Sequence, residues 1–276
     1  MNQNSLSVSK EEFLKFQNFI EKKIGIKFQQ NKKSLLESRL SSHIIKLGMK
    51  SFEEYYNYLI NDNEEEYDYF IDKITTHTTN FFREKSHFNF IINRGINIIN
   101  EYYNKPKIKI LSLGVSTGEE IYTLAMIFAR LKKLNEITDY EIHGADVSKI
   151  ALLKAKKGVY KTESLEDIPQ KYQNSFKKFN NLIIADEIIR YNIRFFLLNA
   201  CKRNQKFPDK YHIVFCRNIF IYFKNELQQN ILDNVLSALL NGGLLFTGHT
   251  ESLFGFKHNL KKIETSVYRS EKVIND

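Results

Sequence analysis

The stretch Lys107–Met126, KIKILSLGVSTGEEIYTLAM, constrains the fold more than any other part of the chain. Its apolar run Ile108–Leu113 is short and rich in β-branched residues, and a helical pattern begins after Gly118. Gly114 and Gly118 permit a tight turn and a close approach of the helix to a ligand. The pattern predicts a buried strand, a glycine turn and a helix, which is where nucleoside cofactors bind in an open α/β sheet.

The residues around this turn narrow the class of ligand. The turn is G-x-x-x-G and lacks the Gly-Lys-Ser/Thr of a phosphate-binding loop. Glu119 and Glu120 open the helix; they suit the helix dipole but would repel a phosphate. A second strand is predicted over Tyr140–Ala145, and Asp146 at its end is placed to accept ribose hydroxyls. S-adenosylmethionine, with a sulfonium, a ribose diol and no phosphate, fits this pattern, although an α/β domain whose turn binds nothing remains the alternative.

Length, charge and cysteine content exclude several classes of protein. The chain has 276 residues and a formal charge of +9, which allows a nucleic acid, an anionic membrane or an acidic protein as partner. No compact arginine-rich block is present, which argues against nucleic acid. No apolar run reaches about 18 residues, so we expect no membrane insertion and a cytoplasmic location. Cys201 and Cys216 have no metal-ligand spacing, and no metal is predicted.

The N-terminal third predicts helices only. No strand signal occurs before about residue 105, whereas strand and helix patterns alternate afterwards. We therefore predict a helical domain over residues 1–85 and a cofactor-binding domain over residues 86–276. A β-branched stretch, Asn181–Phe196, predicts an antiparallel hairpin with its turn near Ala185–Glu187, within a small β subdomain at about 170–198. A further strand is predicted over His212–Ile219, and an antiparallel edge strand over Ile263–Tyr268.

The second predicted helix, Lys32–Leu47, carries a row of basic residues. Lys32, Arg39 and Lys46 fall seven residues apart, beside the apolar stripe of the helix. They form either a solvated basic face or a docking strip for an acidic helix. The sequence alone leaves both interpretations open.

The segment Thr75–Arg83, TTHTTNFFR, has an unusual composition. Its threonines, asparagine and histidine are poor helix formers but offer many side-chain hydrogen bonds. Phe81 and Phe82 are predicted to anchor the segment in the core. Arg83 beside them is either an exposed charge or a fixed cation of a site.

Several stretches together carry a family resemblance. They are FFRE, LSLGVSTGEEIYTLAM, GADVSKIALLKAKKGVY, VFCRNIFIYF and GGLLFTGHTESL, with GIKF, LLESRL and SFEEYYNYL in the helical part. Over about residues 10–268 the chain resembles the CheR chemotaxis methyltransferases. The resemblance implies a Rossmann-like S-adenosylmethionine-dependent methyltransferase sheet, with an N-terminal all-helical subdomain and a small antiparallel β insert. It also implies transfer of methyl groups to glutamate side chains of chemoreceptors for chemotactic adaptation, with S-adenosylhomocysteine as product.

The resemblance assigns roles to matching positions. Arg83 and Tyr222 are the implied catalytic residues, which position the methyl acceptor. The implied cofactor-binding residues are His77, Thr79, Arg83, Gly114, Glu119, Asp146, Asn199, Ala200, Cys216, Arg217 and Asn218. The implied docking residues for the acidic helical bundle of the receptor are Lys32, Arg39 and Lys46.

The sequence departs from the family pattern in two places. His77 and Thr78 replace the Asn and Glu of the usual Asn-Glu-Thr, and Thr79 is kept; cofactor contact at His77 is therefore left open. The β insert, KKFNNLII, lacks the glycine-rich loop of relatives that bind a receptor's C-terminal pentapeptide. We therefore predict that no pentapeptide tether is needed.

Two other functions compete with receptor methylation. In the first, the changed His77-Thr78 pair leaves a module that binds cofactor or receptor without turnover. In the second, the basic chain is a methyltransferase that acts on nucleic acid, for which salt-sensitive binding would be diagnostic. The retained Glu119, Asp146, Arg83 and Tyr222 favour the enzyme. A monomer is expected.

Overall fold

The computed structural model describes residues 6–61 and 63–271. The N-terminal helices are α1 (Lys10–Ile24), α2 (Lys33–Lys46), α3 (Phe52–Ile60) and α4 (Glu64–Ile74). Helix α1 begins with a capping box between Ser9 and Glu12 and ends at Gly25, whose φ is 76°. The apolar stripes of the four helices pack into one core of aromatic and aliphatic side chains. No described helix is both long and apolar enough to cross a bilayer.

The rest of the described chain alternates strands and helices. The helices are α5 (Lys85–Phe90), α6 (Ile96–Tyr103), α7 (Glu119–Lys133), α8 (Lys149–Lys157), α9 (Gln170–Gln173), α10 (Glu187–Arg190) and α11 (Asn225–Ala238). The strands are β1 (Lys107–Leu113), β2 (Asp139–Asp146), β3 (Val159–Lys161), β4 (Phe176–Phe179), β5 (Leu182–Ala185), β6 (Ile193–Leu197), β7 (Tyr211–Cys216), β8 (Leu239–Thr247), β9 (Leu260–Glu264) and β10 (Val267–Ser270). A π-helical turn, Ile91–Gly95, joins α5 to α6.

Seven strands form the main sheet in the order β6-β2-β1-β7-β8-β10-β9. The five strands β6, β2, β1, β7 and β8 pair in parallel with their neighbours. Strand β10 is antiparallel to both β8 and β9. The chain leaves β1 for β2 on one side and later returns to β7 on the other, so the strand order reverses at β1. This reversal opens a crevice at the carboxyl ends of β1, β2 and β7, where open α/β sheets bind ligands. The predicted fold class is confirmed.

The predicted hairpin over Asn181–Phe196 is wrong. The antiparallel pair is β4 with β5, and its turn lies at Asn180, which has a φ of 53°. Asp186 then caps α10 by accepting a hydrogen bond from the Ile188 backbone N–H. This short helix redirects the chain, so β6 joins the main sheet parallel to β2. The small antiparallel sheet is β3-β5-β4, and segment 170–198 supplies strands to both sheets.

The C-terminal edge also differs from its prediction. The segment expected to form one strand, Ile263–Tyr268, contains the turn between β9 and β10. Ser266 in that turn has a φ of 57°, a left-handed conformation typical of tight turns. The two strands form an antiparallel hairpin with a register shift near Val267. The short β-branched run predicted strand structure here, but it did not indicate the turn within the run.

His212 on β7 makes the stability of the fold depend on pH. Only 7% of its surface is exposed, and its Nδ1 accepts a hydrogen bond from the Lys109 backbone N–H at 3.0 Å. Burial, helped by the Lys109 charge, lowers the pKa of His212 from 6.5 to about 4. The folded state thus favours the neutral ring. This contribution to stability is complete above pH 6.5 and is lost as the pH falls towards 4.

As the pH falls from 7 to 5, we therefore expect the free energy of unfolding to decrease more in the wild type than in His212→Asn. The expected difference between pH 7 and pH 5 is about 1–2 kcal/mol, measured by urea denaturation followed by circular dichroism. Parallel pH profiles of the two proteins would show that His212 does not titrate in this way.

Candidate active site

A cleft lies at the carboxyl ends of β1, β2 and β7, beneath the segment Thr75–Arg83. It contains about 870 Å³ of empty space, part of it open to solvent. Eight of the predicted site residues line it: His77, Thr79, Arg83, Gly114, Asp146, Arg217, Asn218 and Tyr222. The sheet and the helical domain both contribute, because Ile26 and Thr75 also line the cleft.

The turn between β1 and α7 forms one wall of the cleft. Gly118 has a φ of 102°, and a Cβ placed on it would lie 2.7 Å from the Tyr160 hydroxyl and 3.0 Å from the Cβ of Ala155. The position therefore requires glycine for both conformation and space. Its close packing against α8 brings the start of α7 next to the carboxyl end of β2.

Asp146 at the end of β2 holds two turns together. Its Oδ2 accepts a hydrogen bond from the Ser116 backbone N–H at 2.8 Å, and its Oδ1 accepts one from the Ser148 backbone N–H at 2.9 Å. The residue is 9% exposed, and burial raises the pKa of its carboxyl against these hydrogen bonds. Each oxygen retains a lone pair for another donor. The residue thus fits the ribose diol of a nucleoside cofactor.

The first turn of α7 carries two carboxyl groups, those of Glu119 and Glu120. Glu119 accepts a hydrogen bond from the Thr117 hydroxyl at 2.6 Å and does not line the cleft. Glu120 lines it, and accepts hydrogen bonds from Ser112 at 2.7 Å and Arg217 at 3.1 Å. Burial raises the pKa of both carboxyls. Glu120 therefore places a carboxyl group, paired with Arg217, in the wall of the cleft.

Arg217 is the centre of a buried hydrogen-bond network. Its side chain is 1% exposed. Its guanidinium donates to Glu120 at 3.1 Å, to Glu84 at 3.1 and 3.3 Å, and to the backbone oxygen of Arg83 at 2.6 Å. Burial would raise the pKa of Glu84, but Arg217 and the neighbouring donors outweigh it and hold that pKa low. Arg217 thus fixes the segment that carries Arg83.

Arg83 and Tyr222 face the same cleft and are half-buried. Arg83 donates one hydrogen bond, from Nη1 to the backbone oxygen of Thr78 at 2.9 Å, and forms no ion pair within the described part of the chain. Lys32 lies 5.9 Å from the centre of the Tyr222 ring. The cleft therefore has a guanidinium with spare donors and a phenol at its helical-domain side.

His77 contacts protein atoms with both ring nitrogens. Its Nε2 lies 3.0 Å from the Thr75 hydroxyl and from the backbone oxygen of Asp72, and 3.2 Å from the Asp72 carboxylate. Its Nδ1 lies 3.4 Å from the hydroxyl of Ser116 in the glycine turn. His77 thus links the end of α4 to the cofactor turn.

Four predicted site residues do not line the cleft: Glu119, Asn199, Ala200 and Cys216. Asn199 donates to the backbone oxygen of Lys23 at 3.2 Å and accepts from the backbone N–H of Cys201 at 3.1 Å. Cys216 is fully buried at the end of β7, and burial raises the pKa of its thiol. Contact between these four residues and the cofactor stays a prediction.

Three polar residues of the site are absent from the predicted site residues, although the sequence already places Glu120 at the start of α7. Glu84 and Glu120 anchor Arg217, and Glu251 accepts from the backbone N–H groups of Asn218 and Gly248 at 2.7 and 2.8 Å. These carboxylates belong to the same sequence motifs as predicted site residues, and that was the signal that could have identified them. Their partners lie up to 134 residues away in the sequence, so no local pattern identified them.

The three predicted docking residues have different environments. Lys32 is half-buried over the rings of Phe28 and Tyr222, and burial, with a smaller effect of Arg39, lowers its pKa. Arg39 donates to the backbone oxygens of Lys73 and Thr75 at 2.7 and 2.8 Å. Lys46 is exposed at the end of α2. Arg39 therefore has a structural role at the end of α4, whatever its role in docking.

The seven-stranded sheet with its reversed β10, together with the cofactor turn and Asp146, defines an S-adenosylmethionine-dependent methyltransferase. Two family profiles match the chain: CheR methyltransferase, all-alpha domain, over residues 11–75, and CheR methyltransferase, SAM binding domain, over residues 77–269. The chain belongs to the CheR family, and is an S-adenosylmethionine-dependent protein-glutamate methyltransferase.

Individual relatives are similar over nearly their full length. The chemotaxis protein methyltransferase of Borreliella burgdorferi is 32% identical over 274 residues, 96% of each chain. That of Escherichia coli K12 is 30% identical over 275 residues, which cover 97% of this chain and 93% of the relative. A solved putative O-methyltransferase from Nostoc punctiforme is 16% identical with a TM-score of 0.34, covering 58% of this chain and 38% of its own, a likeness too low to carry an argument.

Proposed function

We propose that the enzyme methylates glutamates in the cytoplasmic helical bundle of chemoreceptors, and that Arg83 and Tyr222 position the acceptor carboxylate. The observation that carries this proposal is that both side chains line the cleft that Asp146 also lines. Arg83 has no carboxylate partner within the described residues, and guanidinium groups bind carboxylates with defined geometry. In this proposal, the carboxylate of the methyl acceptor is the partner of the Arg83 guanidinium.

The chemistry asks little of the protein beyond orientation. When bound, S-adenosylmethionine supplies a methyl group on a positively charged sulfur. A glutamate acceptor is ionised at neutral pH and needs no general base. Asp146 and the glycine turn are proposed to hold the nucleoside, and Arg83 and the Tyr222 hydroxyl are proposed to orient the acceptor and exclude water from it.

The test is transfer of labelled methyl to membranes that contain the organism's chemoreceptors. We expect Arg83→Ala and Tyr222→Phe each to lower the rate at saturating cofactor by about 100-fold, because misplacing a reactant costs about that much. The label should be base-labile, as a glutamyl methyl ester is. Arg194→Ala is the matched control, since that arginine is 65% exposed and pairs with Glu141 on the sheet.

Other outcomes would overturn parts of the proposal. Full rates in both variants would remove the roles of Arg83 and Tyr222. No label in the wild type, despite measurable cofactor binding, would favour the module that binds without turnover.

We also propose that the enzyme does not need a pentapeptide tether. The β4–β5 hairpin turns through Asn180 and Asn181 without the glycine-rich loop of tether-binding relatives. We expect calorimetry with such a receptor pentapeptide to give a Kd weaker than about 1 mM. Micromolar binding to this chain would contradict the proposal.

The proposal extends to organisation and docking. Residues 1–85 and 86–276 are proposed as the two domains, and the protein as a cytoplasmic monomer. Lys32, which precedes the first residue of α2, and Arg39 and Lys46 on α2 are proposed to face the acidic receptor bundle. The solution mass of the full chain tests the monomer, and reduced transfer in Lys46→Glu at subsaturating receptor tests the docking face.

A further inference from the structure

Three potential metal ligands lie together behind the cleft. They are Glu84, which precedes α5; His87, in the first turn of α5; and His249, in the loop after β8. One ligand atom from each residue lies within 4.8 Å of the other two. Glu84 and His87 are three positions apart, whereas His249 is more than 160 positions away in the sequence, so the fold brings it to the other two.

His87 is the observation that points to a ligand. Its side chain is 1% exposed, and neither ring nitrogen has a hydrogen-bond partner. Buried polar groups almost always have a partner in folded proteins. Its Nδ1 faces the Glu84 carboxylate at 3.5 Å without forming a hydrogen bond. An ion between these two atoms would give Nδ1 a partner.

The separation of these atoms suits a tetrahedral ion. With bonds of about 2.0–2.1 Å to zinc, two ligand atoms of a tetrahedron are roughly 3.3–3.4 Å apart, close to the 3.5 Å between His87 and Glu84. His249 is exposed, and its Nε2 now contacts the Ser86 hydroxyl at 2.9 Å. A rotation of this exposed side chain would bring it to the third position. The fourth position is then open to water or to Ser86.

The local charge also allows a cation. Arg217 is shared between two carboxylates, Glu84 and Glu120. One positive charge therefore faces two negative ones beside the cluster. The Glu84 oxygen that faces His87, Oε2, also accepts hydrogen bonds from Arg217 at 3.1 and 3.3 Å. A divalent ion there would share this oxygen with the guanidinium, and the two carboxylates would balance part of its charge.

We propose that Glu84, His87 and His249 bind one divalent transition-metal ion, with Zn²⁺ the best match. Two imidazoles and one carboxylate form a donor set that zinc uses when it keeps an open position. Mg²⁺ and Ca²⁺ prefer oxygen ligands and are excluded by the same donor set. Glu84 follows Arg83 in the chain and accepts from Arg217 and Asn218, so the metal site adjoins the proposed methyl-transfer groups. Its test measures metal binding and does not depend on methyl transfer.

The test is titration of the full-length protein with Zn²⁺ by calorimetry and with Co²⁺ by visible absorption. We expect one equivalent with a Kd below about 10 µM, and intense cobalt bands typical of tetrahedral coordination. His249→Ala should weaken binding at least about 100-fold, because it removes a ligand without disturbing the core. His258→Ala, which removes another exposed histidine, should leave it unchanged.

The opposite results would overturn the site. No zinc binding, binding that His249→Ala leaves intact, or equally tight binding of Mg²⁺ would each show that these residues do not form it. A circular dichroism spectrum of His249→Ala equal to that of the wild type ensures that lost binding reports a lost ligand.

Discussion

Replacing Arg217 with methionine is expected to lower the free energy of unfolding by about 3–5 kcal/mol. The side chain is 1% exposed and donates to Glu84, Glu120 and the backbone of Arg83. Methionine fills a similar volume, but it leaves the two buried carboxylates without a positively charged partner. The loss should therefore come from uncompensated charge and not from packing. Urea denaturation followed by far-ultraviolet circular dichroism measures it.

Arg194→Met is the matched control for this experiment. Arg194 also pairs with a glutamate, Glu141, but its side chain is 65% exposed. Exposed ion pairs contribute less than about 1 kcal/mol, so this variant should remain near the wild type. A similar small loss in both variants would show that the Arg217 network does not stabilise the fold.

Asp146→Ala is expected to weaken binding of S-adenosylhomocysteine by at least about 100-fold. The carboxylate holds the backbone N–H groups of Ser116 and Ser148 at 2.8 and 2.9 Å, and we expect it also to bind the ribose. Hydrogen bonds to a charged group are worth about 1.5–3 kcal/mol each, so losing the ribose contacts and the shape of the turn accounts for the factor. Calorimetry with the product measures it.

Asp139→Ala provides the control at the opposite end of the same strand. Asp139 pairs with Lys132, and its side chain is 37% exposed, far from the carboxyl end of β2. Its replacement should leave product affinity within about twofold. Asp146→Asn should fall between the two, because an amide keeps one acceptor but turns a donor towards one of the two backbone N–H groups. Unchanged affinity in Asp146→Ala would exclude Asp146 from cofactor binding.

Local signals were sufficient to predict much of the fold. The Ser9–Glu12 capping box of α1, the Ser148 cap of α8 and Gly158 at the end of α8 each form from contacts within a few residues. The buried strand β1 and its glycine turn follow for the same reason. Such features depend on the backbone of one short segment, so the sequence contains all the information they need.

Contacts between distant segments could not be predicted in this way. The alternation in β6 suits a hairpin and an edge of the main sheet equally well. In the structure, α10 with its Asp186 cap separates β5 from β6, and β6 pairs with β2. The partners of Arg217 depend on the left-handed backbone at Glu84, whose φ is 59°, and on a fold that joins positions 134 residues apart. Neither property leaves a periodic pattern.

The contacts of His77 and Arg39 have a consequence for how this family diversifies. Arg39 on α2 holds the backbone at Lys73 and Thr75, and His77 continues that connection to Ser116 in the cofactor turn. The helical domain is thus a wall of the cofactor cleft as well as the proposed docking surface for the receptor. A chimera that borrows this domain from a relative with asparagine at position 77 would lose the linkage. Receptor preference and cofactor affinity would then be inherited together, not exchanged as separate modules.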